Sequence, residues 1–130
     1  VIPGIPGLSE NIEIRGIIDR YLEHSRIFIF CNGGRGRERY FIGSADWMTR
    51  NLDHRVEVYA PVHDRAIQAE LRRIIEYGLR DNVAARVVDG TGENRLYEND
   101  LPPFRSQSEL YRFYTEQANE QLTQREHAGK

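Results

Sequence analysis

Glu23-His24-Ser25-Arg26-Ile27-Phe28-Ile29-Phe30, then Asn32-Gly33-Gly34, then Gly43-Ser44-Ala45-Asp46-Trp47-Met48-Thr49-Arg50-Asn51: these three pieces decide how the chain folds. Residues 26–31 are a short apolar run of strand type, continuous enough to be buried on both faces. Asn-Gly-Gly is a turn signal, because Asn and Gly accept the left-handed backbone that tight hairpins require. It folds the first strand back on a partner at 39–42, with Arg35-Gly36-Arg37 as a mobile tip. His24 and Arg26 are then expected at the same end of the hairpin as Ser44 and Asp46. An imidazole, a guanidinium, a hydroxyl and a carboxylate converge there, and such a cluster suits phosphate chemistry.

Working outward, Arg55-Val56-Glu57-Val58-Tyr59-Ala60 alternates with period two and predicts a third strand, which Pro61 ends. A helix follows from about Asp64 to Leu79. Ala66, Ile67, Leu71, Ile74, Ile75 and Leu79 form its apolar face, with Arg65, Glu70, Arg72 and Glu76 mostly toward water. Val83 to Val88 predicts a fourth strand, closed by Asp89-Gly90-Thr91-Gly92. Upstream, residues 1–11 read as loop, broken by Pro3, Gly4, Pro6 and Gly7. Ile14, Ile17, Ile18, Tyr21 and Leu22 then recur at helical spacing and predict a first helix. Residues 91–105 read as irregular. Ser106-Gln107-Ser108-Glu109 has the capping-box pattern and opens a last helix over 106–126, with a polar tail that frays. The order is helix, hairpin, strand, helix, strand, helix. It indicates one α/β domain over 1–130, built as a three-layer α/β/α sandwich with a C-terminal helix.

Composition narrows the class. The chain has 130 residues, enough for one ordinary core, and its 39% hydrophobic and 29% charged residues are normal for a soluble protein. No apolar run approaches the roughly 20 residues a membrane helix needs. The opening Val1-Ile2-Pro3-Gly4 lacks an initiator Met, and the chain is expected to be a piece of a longer protein. The single Cys31 excludes an internal disulfide. Net charge is −2, so no general attraction to polyanions follows from the balance. The kind of cation says more: of 18 basic residues only Lys130 is not Arg. Arg grips phosphate oxygens in pairs, although a compositional bias toward Arg would look the same.

Each candidate has a plainer account. His24 stands where a predicted helix gives way to a strand, an edge where site residues gather, and a surface histidine favoured by a helix C-terminus fits as well. Arg26 could clamp an oxyanion beside His24, or pair with Glu23 or Asp46. Ser44 and Asp46 could meet an oxyanion or cap a helix. Trp47 and Met48 read as core. Arg50, Asn51, Asp53 and Arg55 form a polar cluster entering the third strand, where a buried Arg55–Glu57 ion pair is the alternative. No CxxC, HExxH, carboxylate cluster or phosphate-loop motif occurs, so no metal site is expected in the chain itself.

The succession of His24-Ser25-Arg26, apolar strand, turn, strand and Gly43-Ser44-Ala45-Asp46 resembles half of a phospholipase D-type site. That pattern is His-x-Lys, four residues, Asp, then Gly-Ser and an Asn downstream. Here Arg26 replaces the Lys, Cys31 the Asp and Asp46 the Asn, which turns the cluster away from diester hydrolysis. Pro3 to Ile12, Tyr21-Leu22-Glu23-His24-Ser25-Arg26, Gly43 to Asp53, Arg55-Val56-Glu57-Val58 and Asp81 to Arg86 closely resemble the C-terminal domain of the phospholipase D-related bacterial polyphosphate kinases. The resemblance covers about residues 1–90 and is loose beyond.

The resemblance implies a phospholipase D-like sandwich and reversible transfer of the terminal phosphate of ATP to polyphosphate, with Mg²⁺ held mainly by residues outside this chain. The phosphohistidine of the family forms in the preceding domain. His24 matches the family's second active-site histidine, which contacts nucleotide phosphates and acts in proton transfer. Arg26, Ser44, Asp46, Arg50 and Arg55 are further candidate contacts to nucleotide or polyphosphate. The implied partners are ATP or ADP, polyphosphate, the remaining domains of the same polypeptide and, in the full-length protein, further copies of it; nucleic acid is not expected. The implied location is cytoplasmic, with peripheral membrane association as a variant. By itself the piece is expected to be inactive. Two other readings remain: a noncatalytic polyanion-binding and assembly module, and a phospholipase D-type phosphodiesterase half-site.

Overall fold

The computed structural model describes residues 2–128. In chain order the elements are β1 (Arg15–Ile17), β2 (Ile27–Phe30), β3 (Arg39–Gly43), α1 (Thr49–Leu52), β4 (Tyr59–Val62), α2 (Arg65–Arg80), β5 (Ala85–Val87) and α3 (Ser106–Ala128). The chain is thus mixed α/β with two small sheets and a C-terminal helix. It divides into two compact units, residues 22–75 and the segments flanking them. No helix among the described residues is long and apolar enough to cross a membrane.

Within 22–75, the predicted hairpin forms the centre of an antiparallel sheet ordered β2-β3-β4. Five successive residues of its loop, Asn32 to Gly36, take positive φ, which three glycines and an asparagine make accessible. The amide of Gly34 donates to the Cys31 carbonyl at 2.6 Å and closes the turn. Phe28 stands opposite Phe41 and Ile29 opposite Tyr40. Across the next ladder, Phe41 stands opposite Pro61 and Tyr40 opposite Val62. Pro61 therefore lies inside β4 rather than ending it. It is tolerated because β4 is an edge strand, where one side of the backbone needs no ladder partner. The expected third strand is shorter than its alternation suggested and shifted toward the C-terminus.

Opposed residues share a face, so Tyr40 and Val62 look to one side of the sheet and Phe28, Phe41 and Tyr59 to the other. α2 packs on the Tyr40 side. Arg72 donates from Nε to the Tyr40 hydroxyl at 2.8 Å, and Gln68 donates from Nε2 to the Val62 carbonyl at 2.8 Å. The Asp64 carboxylate caps the helix by accepting from the amides of Ala66 and Ile67. The helix matches the predicted span, but its buried side differs. Gln68 is buried and Arg72 half-buried, whereas Ile67 is 49% and Leu79 52% exposed. Trp47 and Met48 are exposed as well, so the expectation that they are core is overturned.

In the flanking unit, the predicted first helix is absent. β1 occupies its place and pairs antiparallel with β5, with Gly16 opposite Arg86. Gly16 weakens a helix, and Ile14, Ile17 and Ile18 are β-branched, so an available strand partner overrides the helical spacing. Downstream of α2, Asp81 organises the chain. It is fully buried, and one carboxylate oxygen accepts from the amides of Val83, Ala84 and Ala85 at 2.9, 2.7 and 3.1 Å. The other accepts from the amide and hydroxyl of Ser106, both at 2.7 Å. The Ser106 hydroxyl thus serves Asp81 rather than a capping box, and Glu109 pairs with Arg112. Asn82 pins the irregular approach to α3, accepting from the Phe104 amide at 2.7 Å and donating to Asn99, Leu101 and Pro102. Arg105 grips Asp19 with two nitrogens. α3 continues to Ala128, slightly past the predicted end, and the remainder of the expected frayed tail lies outside the described residues.

Burial opposes the charge on Asp81, but the amides of Ala84, Ser106 and Val83 and the Ser106 hydroxyl outweigh it, and the pKa is lowered. Asp81→Ala, which strands these donors, is expected to cost about 3 kcal/mol or more in urea unfolding, with Asp81→Asn intermediate. Because the folded-state pKa is depressed, the stabilisation is present above the unfolded value of about 3.9 and fades as pH falls through the folded one. The gap between the parent and Asp81→Asn should therefore close in unfolding measured below about pH 4. A gap that widens there would contradict the assignment.

Candidate functional site

The pairing of β2 with β3 runs one residue past the strand, since the Gly43 amide donates to the Arg26 carbonyl at 2.9 Å. This sets Arg26 beside the Gly43–Asp46 turn. A Cβ on Gly43 would lie 2.7 Å from the Tyr59 ring and 3.1 Å from that of Phe28, so this position needs a residue without a side chain. Arg26 donates from Nε to Asp46 Oδ1 at 2.9 Å and from Nη1 to the His24 carbonyl at 3.2 Å. One guanidinium thereby joins the segment before β2 to the turn after β3, and its Nη2 keeps no protein partner among the described residues. The Arg26 hydrogen bond holds the Asp46 carboxyl below the usual carboxylate range, and the charges of Arg50 and His24 act in the same direction.

The His24 side chain is exposed. Arg50, in α1, is exposed and close enough to bias Asp46. His24, Arg26 and Asp46 are thus brought together as the hairpin predicts, Arg50 joins them from the cluster expected at the entry to the third strand, and the Arg26–Asp46 pair is one of the two pairings open to Arg26 from sequence. Ser44 is turned elsewhere. Its hydroxyl donates to the Glu57 carboxylate and accepts from the Val58 amide at 3.0 Å, which ties the turn to β4. Neither Ser44 nor Asp46 caps a helix: α1 begins after Met48, with no side-chain cap. Arg55 is exposed on the stretch before β4, and no Arg55–Glu57 ion pair forms among the described residues.

Two residues of this region take roles that the sequence did not assign to them. Asn51 is buried and donates to Glu57 Oε1 at 2.9 Å, while its own Oδ1 has no partner among the described residues. Glu57 receives both Ser44 and Asn51, where the sequence offered it Arg55 as an ion-pair partner. The whole arrangement presents an exposed imidazole and two guanidiniums around one carboxylate. It can meet an anion with charge and N–H donors and can exchange a proton.

Comparison with known proteins bears on this arrangement. The family model described as polyphosphate kinase C-terminal domain 2 matches residues 1–107. The polyphosphate kinase 1 of Chlorobaculum tepidum is 45% identical over 114 residues, 88% of this chain and 16% of that protein. The polyphosphate kinase of Thermosynechococcus vestitus is 52% identical over 95 residues, 72% of this chain and 13% of that protein. The crystal structure of polyphosphate kinase from Porphyromonas gingivalis superposes with a TM-score of 0.81 at 42% identity, over 89% of this chain and 18% of that one. The chain therefore spans only a small part of the proteins it matches.

Arg26→Gln should let the Asp46 carboxyl move up toward its ordinary range, read as the pH dependence of its carbon chemical shift. An unchanged Asp46 titration would mean that the pair does not set its charge.

Proposed function

We propose a function from one premise: the chain belongs to the polyphosphate kinase family. It supplies part of a site that reversibly transfers the terminal phosphate of ATP to a polyphosphate chain. In this reading His24 is the assisting histidine, set against the nucleotide phosphates to hold or move a proton. The histidine that carries the phosphate belongs to another domain of the full-length protein. A phospholipase D-like sandwich is part of the proposal, supported by the helix packed on an antiparallel sheet whose first strand follows His24.

The observation that carries the reading is the Arg26 guanidinium, held by Asp46 on one side and by the His24 backbone on the other. Phosphoryl transfer asks a protein mainly for positioning and for charge set against moving oxygens. Asp46 fixes the plane of Arg26, so its open Nη2 is oriented before any ligand arrives. Arg50 adds a second positive charge on the same side, and Arg55 is a further contact on the approach to β4. Ser44 contributes by holding the turn to Glu57 and Val58.

Magnesium does not fit these residues. Among the described residues no group of three or more His, Cys, Asp or Glu could hold a metal ion, and Asp46, the carboxylate in the cluster, is bound to Arg26. The reading therefore places that ion on groups outside them and routes no step of this cluster through it.

In the full-length protein that carries this chain, His24→Ala should reduce polyphosphate synthesis from ATP by at least about 100-fold, the scale of a lost proton-transfer group. Because the side chain is exposed, the melting temperature should stay near that of the parent. Normal turnover in that variant would overturn the role of His24.

A further inference from the structure

We infer that the loop end of the β2–β3 hairpin, opposite the His24 end, holds a second phosphate-binding subsite that takes a segment of inorganic polyphosphate away from the reacting group. The identity of the polyanion rests on the proposed kinase function; the site rests on its own geometry. A depression of about 390 Å³ opens there, lined by Arg37, Arg39, Tyr40, His63, Arg65 and Gln68. The cations come from different places: Arg37 from the hairpin loop, Arg39 from the start of β3, and His63 and Arg65 from either side of the Asp64 cap of α2. Three arginines and a histidine thus share the lining with one carboxylate residue, Glu38.

What holds these cations sets them apart from the arginines in ion pairs. Arg26, Arg95 and Arg105 each meet an aspartate. Arg37 instead donates to the carbonyls of Gly33 and Gly34 at 3.3 and 3.4 Å. Arg65 donates to the Gly36 carbonyl at 3.4 Å and to Gln68 Oε1 at 3.1 Å. These acceptors are neutral, so they orient the guanidiniums without cancelling their charge. The side chains of Arg39 and His63 have no hydrogen bond or ion pair among the described residues. A cavity in which three Arg forks and an imidazole outnumber one carboxylate, with two of the forks oriented by neutral acceptors, matches the paired oxygens and dense charge of a phosphate polymer. β3 separates it from the Gly43–Asp46 turn by about 14 Å, at roughly 3.4 Å per residue. A single phosphoryl group does not bridge that distance, and a polymer does.

The test uses the full-length protein that carries this chain, with long-chain inorganic polyphosphate and tripolyphosphate as probes. Arg39→Gln removes a side chain that supports no other group; Arg39→Lys keeps the charge and loses the fork. The triple variant Arg37→Gln, Arg39→Gln, Arg65→Gln removes the cluster. Loss of one charge-assisted contact should weaken long-chain binding by roughly tenfold, and the triple variant should lose more. The log–log dependence of affinity on salt should become shallower by about one per charge removed, and keep its slope in Arg39→Lys. Tripolyphosphate and nucleotide affinities, and turnover at saturating polyphosphate, should stay within about twofold of the parent. A triple variant that binds long-chain polyphosphate with parental affinity and salt slope would overturn the subsite while leaving the His24 assignment standing. So would weakened binding confined to an acidic peptide such as polyglutamate. A parent that binds no polyphosphate at all would overturn both readings.

Discussion

When Phe28 stands opposite Phe41 and Ile29 opposite Tyr40, every side chain of the β2–β3 pair has its face assigned, because side chains alternate along a strand. The same register puts Arg26 next to the Gly43–Asp46 turn at one end and Arg39 beside the loop at the other. A slip of one residue would bury the aromatic set under α2, expose Tyr40 and remove Arg26 from Asp46. Two local features hold the register. The left-handed run from Asn32 to Gly36 fixes the length of the loop, and the bare Gly43 admits the Tyr59 ring against its backbone. Chemistry at both ends of this sheet thus descends from the phase of one ladder.

The flanking unit depends on a different kind of constraint. Taking a carboxylate out of water is costly, and Asp81 remains charged only because five donors surround it. Three of those amides lie just downstream, at the entry to β5. The other two donors open α3, 25 residues away in sequence. Strand entry and helix start are therefore fixed by one group, and Asn82 extends the same hold to residues 99–104. A hydrophobic contact could not substitute, since it would leave the amides without acceptors.

How much of this was legible in the sequence depends on the range of the interactions. The hairpin and α2 rest on local chemistry, a Gly-rich turn and the Asp64 cap of a helical run, and both form where the pattern places them; α3 opens at the expected Ser106, but on its bonds to the distant Asp81 and not on the local capping box. β1 was misread because helical spacing is a local signal and its partner β5 lies about 70 residues on. The placement of His24, Arg26 and Asp46 at one hairpin end could be read, because a hairpin end is a short-range consequence; Arg50, assigned from sequence to the cluster entering the third strand, joins them through α1. The diversion of Ser44 to Glu57 could not, since it depends on how β4 docks. Asp81 carried no sign of its role: in a sequence, a buried acid serving as a hub looks like any other acid after a helix. Trp47 and Met48 show the opposite failure, in which residue type suggested a core that the described chain does not build around them.

The exposed side of the sheet has a practical meaning. Phe28, Phe30, Phe41, Trp47 and Tyr59 line an apolar depression of about 320 Å³, and Trp47, 73% exposed, stacks on Phe28 with ring centroids 6.1 Å apart. It is the only tryptophan in the chain, and Asp46 precedes it directly. The molecule therefore carries one indole, in water, at the junction of its aromatic face and its charged cluster. Its emission colour and its quenching by small solutes report what covers that face, free of background from any second indole in the chain, so the fold comes with its own optical gauge.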